Sequence, residues 1–487
     1  MRSRRRSSWI VSLVIAALAG AVVPAAATPG GTPRLELLTG STNVDVFKYG
    51  DRRVWLDLGI VMASHDAPFE IRVARASYDD PIRVFQAFHR PGGVHLEELP
   101  ADIVDGWFGL RDFFRFEIRD HEGRLIRGRD EDWCPASWEG QRVDDRGPYE
   151  QTYPQWCSSH PLSLGTVWGI DRGWAIAPEL GGMSIRLDDG RYRADLWITD
   201  RYRTLFDIPD EDASVTVSFR VRTVEGCRFC APAAPATLGD ASAPRQTALT
   251  QAVTMDHPPV DTLPDLVALP SFWIWPDRQH RRDYLTFGAN VWNRGPAPLV
   301  IEGFRAEGED RMDAYQYFFR DGEIVGRAPV GSFEFDRRTG HYHWHFQQFA
   351  RYRLLDESRT DVVLSHKQSF CLGPTDGIDL TVDGASLRQE RYGFTRCGGV
   401  SALWIREVLP AGWGDTYFQW MGGQSFNITD VPNGTYWIEV AADPTGALFD
   451  ADPTNDVEYR KVILGGSPGA RTVSVPPWHG IDTEGGF

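Results

Sequence analysis

Three of the twelve histidines stand at alternate positions, His341, His343 and His345, within Gly340-His-Tyr-His-Trp-His-Phe346. On an extended backbone residues i, i+2 and i+4 share a face, so the three imidazoles converge while Tyr342 and Trp344 point the other way. On a helix His343 would face away from its neighbours. Converging neutral imidazoles are metal ligands first, and imidazole alone suits Zn, Cu, Fe or Ni, which leaves the metal open. A straight strand would set the outer Cα atoms roughly 13 Å apart, near the limit two imidazoles can bridge. The stretch therefore predicts a hooked strand or tight loop, with Gly340 permitting the bend. The plainer alternative is a polar strand face exposing three neutral rings.

A second candidate is Asp450-Ala-Asp452-Pro-Thr-Asn455-Asp456. It packs carboxylate and amide oxygens into one short loop, the ligand type calcium prefers. A solvated acidic turn would have similar residues. Six cysteines in a chain read as secreted imply disulfides, and proximity in sequence proposes Cys134–Cys157, Cys227–Cys230 and Cys371–Cys397. Cys227-Arg-Phe-Cys230 lacks a surrounding βαβ pattern, so it reads as a small structural loop rather than a redox motif.

The elements that must position these groups are strands. Met1 to Arg6 carry four arginines ahead of the apolar run Trp9 to Val23, which ends at Ala25-Ala-Ala27. Residues 1–27 thus read as a secretory signal peptide, and no later stretch has the apolar length for stable membrane insertion. From residue 33 to 230 the runs Arg53 to Val61, Phe69 to Val73, Phe114 to Arg119 and Ala213 to Arg222 alternate, and amphipathic helical periods are nearly absent. This predicts a β-sandwich-like domain. Trp133, Trp138, Trp156 and Trp168 within it suit core packing better than a sugar-binding surface. Residues 231–256, rich in Ala, Pro, Thr, Gln and Ser, read as a linker. Residues 257–464 form a second β-rich domain with long loops, and 465–487 read as a flexible tail. The fold class is mainly β. The formal net charge of -16 argues against nucleic acid as a partner and favours cationic ones.

Five motifs in the second domain occur in one order: His341-x-His343-x-His345, Phe349-Ala-Arg-Tyr-Arg-Leu-Leu-Asp356, His366-Lys367-Gln-Ser-Phe-Cys-Leu372, Asp415-Thr-Tyr417 and Ile428-Thr-Asp430-Val431. In this order they resemble the catalytic domain of the lysyl oxidases, over roughly Pro264 to Leu464. The resemblance implies a secreted copper- and quinone-dependent amine oxidase with His341, His343 and His345 as copper ligands. Lys367 and Tyr417, singly a surface cation and a strand aromatic, become the precursors of lysine tyrosylquinone. It implies oxidation of a primary amine, on a lysine-bearing protein or a small molecule, to an aldehyde, with O2 consumed and hydrogen peroxide and ammonia released. The calcium loop would be completed by Asp265 and the Leu266 carbonyl. No motif gives the proton-abstracting base; Asp415 and Asp430 are candidates, each with a structural turn or cap role as its alternative. The chain departs from the animal pattern: the segment between His345 and Phe349 is one residue shorter, the Lys367 to Tyr417 interval is longer, and Gly423 stands where a cysteine is expected. Two rivals are a copper-binding scaffold or adhesion protein with little turnover, and a mononuclear metal oxygenase indifferent to Lys367.

Overall fold

The structure is a computed structural model. It describes residues 31–485 apart from 50–52, 105, 138–139, 159, 179–183, 225–251, 307, 338–341, 366–368 and 390. The predicted signal peptide, most of the predicted linker, His341, Lys367 and the Cys227–Cys230 pair lie outside the described residues. Among those described the chain is mainly β, with one short α-helix, Asp200–Leu205.

In the N-terminal half three larger sheets enclose one core. A five-stranded sheet of Asn43–Tyr49, Ser214–Val224, Gly190–Ile198, Leu110–Asp120 and Leu125–Trp133 is antiparallel except for its first pair. Two four-stranded sheets are built around Ile60–His65 and Phe69–Ala74. Trp133 and Trp168 are fully buried in this core with Phe113, Phe114 and Phe116, whereas Trp156 is exposed and Trp138 lies outside the described residues. Cys134 and Cys157 are disulfide-bonded beside it. The alternating run Arg53 to Val61 is not one strand. It divides into Val54–Trp55 and Ile60–His65, because Gly59 takes a positive φ of 63° and its amide is capped by Asp57 Oδ1.

The C-terminal half has three sheets. Arg282–Asn293 is central to the first, pairing with Leu266–Ala268, Phe272–Gln279, Trp413–Tyr417 and Ser425–Asn427. The second runs in the order Ser369–Phe370, His343–Gln347, Glu323–Asp336, Arg311–Arg320, Leu299–Phe304, Trp404–Leu409. The third pairs Ala350–Leu355 and Gly434–Ala442 with Val457–Ser467 and Ala470–Ser474.

That last hairpin corrects the predicted tail. The strand Val457–Ser467 passes residue 464 and turns into Ala470–Ser474 through the positive-φ Gly466 and Gly469. Beyond it Trp478 bridges to Ile481, Thr483 is buried, and the Ile274 amide donates to the Glu484 carboxylate. The Gly and Pro content suggested looseness, but Trp478 and Ile481 supply apolar groups that dock the segment.

The two halves are joined along a seam. Leu164 and Gly165 amides donate to Ile378 O at 2.6 and 3.1 Å, and Leu380 N donates to Gly165 O at 2.9 Å. Leu162 packs with Phe272, Trp273, Trp292 and Ile378, while Tyr153 and Val167 enter the main C-terminal core.

Candidate functional site

The strand His343–Gln347 lies between Glu323–Asp336 and Ser369–Phe370, with Asp336 opposite His343 and Phe346 opposite Phe370. Alternation sends Trp344 and Phe346 into the core and leaves His343 and His345 together on the other face. The chain does hook just before them, at Tyr342, whose φ is 49°. His345 is only 4% exposed. Its Nε2 stands 2.8 Å from His343 Nε2, with the rings 72° apart. Two nitrogens each about 2 Å from one ion, at a near-tetrahedral angle, stand about 3 Å apart, so this pair fits a shared metal. On the far side of His345, Nδ1 faces Asp336 Oδ2 at 3.6 Å and Ser369 Oγ at 3.3 Å. A carboxylate and a hydroxyl beside that nitrogen are the usual outer layer of a histidine metal site.

Tyr417 ends the strand Trp413–Tyr417, whose alternation puts Asp415 and Tyr417 on one face. The phenol is 7% exposed. Its hydroxyl donates to Cys371 O at 2.8 Å and accepts from Cys371 N at 3.0 Å. Phe370 meets the ring edge-on with centroids 5.0 Å apart. Burial, then the charges of Asp415 and Glu407, pushes the phenol well above its usual range. The hydroxyl is thus tied to backbone four residues beyond Lys367, and the Phe346–Phe370 pairing ties the same segment to the histidine strand.

Asp430 is exposed in the turn after Ile428, whereas Asp415 is buried and its charge acts on the Tyr417 hydroxyl. Glu407, unnoticed in the sequence, is buried on Trp404–Leu409, where Oε2 accepts from Leu372 N at 3.0 Å and burial pushes the carboxyl well up. It also lies beside the sulfurs of Cys371 and Cys397, but these are bonded to each other and are not free to bind a metal.

The acidic loop forms a compact cluster. Asp450 accepts from Leu266 N at 2.9 Å and from Asp452 N at 3.0 Å, while Asn455 Nδ2 donates to Asp265 Oδ1 at 2.8 Å. Burial, then the charges of Asp450, Asp443, Asp265 and Asp452, lifts Asp456 to about 7; Asp450 is lifted to about 6, burial again first. Asp456 Oδ1 and Asn455 Oδ1 are buried without a hydrogen-bond partner. Crowded carboxyls with orphaned oxygens fit a hard cation. Asp443 is the member the sequence did not reveal; its two oxygens accept from Ala447 and Leu448 amides.

Residues 320–468 match the family model described as lysyl oxidase. Human protein-lysine 6-oxidase is 31% identical over 136 residues, which cover 28% of this chain and 29% of that protein. Human lysyl oxidase homolog 1 is 34% identical over 136 residues, 28% of this chain and 21% of the relative. Lysyl oxidase homolog 3B of Danio rerio is 32% identical over 117 residues, 24% and 13% of the two chains. The chain thus spans less than a third of the length of these curated relatives. Among the described residues no helix is long and apolar enough to cross a membrane.

Proposed function

With residues 320–468 matching the lysyl oxidase family model, we propose that this chain is a secreted copper amine oxidase that converts primary amines to aldehydes, consuming O2 and water and releasing hydrogen peroxide and ammonia. His341, His343 and His345 would hold the copper, and Lys367 and Tyr417 would be the precursors of lysine tyrosylquinone. Copper and the quinone, when present, supply the electron sink for amine oxidation.

The remaining work falls to this chain's own residues. Asp336 and Ser369 orient His345 through Nδ1 and leave Nε2 for the metal. The Cys371 backbone holds the Tyr417 hydroxyl, and Phe370 holds its ring, so the aromatic edge is presented in one orientation. The Asp415 carboxylate, two residues away on the same face, is the proposed proton acceptor. The walls of Phe370, Tyr352 and Trp413 keep water from this face. Asp265, the Leu266 carbonyl, Asp450, Asp452, Asn455 and Asp456 are proposed as a calcium site that braces the C-terminal half.

The observation that carries the reading is the pair of hydrogen bonds between the Tyr417 hydroxyl and Cys371, in the segment that also contains Lys367. The test is peptide mass mapping of the mature chain made with copper in air. Lys367 and Tyr417 peptides are expected as one cross-linked species whose quinone absorbance phenylhydrazine titrates away. Two unmodified peptides despite bound copper would leave a metal-binding scaffold and end the oxidase reading.

A further inference from the structure

The loop after Tyr417 carries two rings, Phe418 and Trp420, which stack with Trp273 of the strand Phe272–Gln279 and which neither the copper site nor the quinone uses. Trp420 lies on Phe418 with centroids 4.6 Å apart and planes within 3°. Phe418 lies in turn on Trp273, 5.7 Å away and within 8°. Trp273 is buried and holds a left-handed φ of 48°, which few tryptophans adopt and which sets its ring at the base of the stack. Trp420, at the outer end, is 67% exposed, with Phe418 against one face and solvent over the other.

The stack is fixed in place. Met421 N donates to Phe418 O at 2.9 Å, closing a turn, and Ser365 Oγ donates to Gly423 O at 2.8 Å. The platform is therefore three residues from Tyr417 at one end and is bonded, at the other, to a residue two before Lys367. The face of Trp420 turned away from Phe418 is left open. Covering Phe418 needs only one face of the indole.

The free face of an indole is the best neutral partner for an organic cation, and this chain carries a net charge of -16. Because Tyr417 is buried and Trp420 exposed, a cation on Trp420 is not the amine being oxidised. We propose that the outer face of Trp420 is a subsite for a second lysine or arginine side chain of a basic polypeptide substrate, so that peptidyl lysine in a basic context is selected over isolated amines. This rests on the amine oxidase reading above and names its substrate class.

The experiment uses the copper-loaded full chain and two fluorescein-labelled peptides, each with one central lysine, flanked by arginines in one and by alanines in the other. By fluorescence anisotropy the wild-type chain is expected to bind the arginine-flanked peptide about fivefold more tightly. Trp420→Ala should lose most of that preference and Trp420→Phe should keep part of it. Neither change alters charge, so bulk attraction of a basic peptide to an acidic protein cannot mimic the loss. A Trp420→Ala chain that melts like wild type yet keeps the full preference overturns the subsite. Peroxide release by the wild-type chain is read separately. Its absence with a Trp420-dependent preference intact overturns the oxidase reading and leaves the cation subsite standing.

Discussion

Asp336 shows how much of the candidate site hangs on single contacts. It faces Nδ1 of His345, while Nε2 of the same ring meets His343. Asp336→Ala is therefore expected to lower copper affinity by about 10- to 100-fold, measured by competition with a chelator of known affinity. Unchanged affinity would mean that Ser369 alone fixes the ring. The convergence of His343 and His345 was legible because a spacing of two has one physical meaning on a strand. Asp336 was not, because a carboxylate nine residues before His345 reaches it only through the antiparallel register of the hairpin, which no local pattern announces. Glu407 was hidden for the same reason, since burial, the Leu372 amide and Asp415 set its character; Asp443 was hidden because its character comes from burial, which no local pattern announces.

The loop Asp450–Asp456 is the element whose behaviour follows most directly from charge. In the metal-free chain Asp456 and Asp450 have folded values of about 7 and about 6, both above the unfolded carboxylate value. The folded state therefore holds more protons than the unfolded one between about pH 4 and 7, so stability falls as pH rises through that window and stays low above it. A calcium ion bound at the proposed site would replace the protons. A calcium-induced rise in melting temperature is expected to be larger at pH 7.5 than at pH 5, by differential scanning fluorimetry with and without EDTA. Asp456→Asn should raise the EDTA-treated melting temperature at pH 7.5 and shrink the calcium response. A response independent of pH would show that the cluster does not hold the ion. Elements differed in how plainly the sequence wrote them. Alternating runs such as Phe114 to Arg119 and Ala213 to Arg222 became strands because one face is buried and one wet. The last segment was misread because composition averages over Gly and Pro and misses the two anchors, Trp478 and Ile481.

At the scale of the molecule the strand Phe69–Ala74 explains why the seam was invisible. Its sequence, Phe-Glu-Ile-Arg-Val-Ala, alternates as if one face met water, yet all six residues are buried. Phe69, Ile71 and Val73 enter the N-terminal core, while Glu70 is enclosed with Tyr153, a member of the C-terminal core. The apparent solvent face is thus an internal polar contact near the seam. Glu70 accepts from Arg72 Nε and His89 Nε2 at 2.7 Å and from the Tyr153 hydroxyl at 2.8 Å. Burial alone would raise its pKa, but His89 and Arg72 outweigh that and bring it to about 2. A depressed carboxylate contributes stability that is present above its unfolded value, near 4.5, and is lost as pH falls through about 2. Glu70→Gln leaves Arg72 buried without its charge partner, which costs roughly 3 kcal/mol. Chemical denaturation at pH 7 should show that loss. Between pH 4.5 and 2.5 the wild-type chain should lose more stability than the variant, because the variant has no proton to gain at this position. Because the halves share core residues and backbone bonds at the seam, calorimetry of both proteins should give one main transition that shifts as a whole. A lower transition confined to the N-terminal half, with the C-terminal half unmoved in the variant, would show that the seam does not couple them.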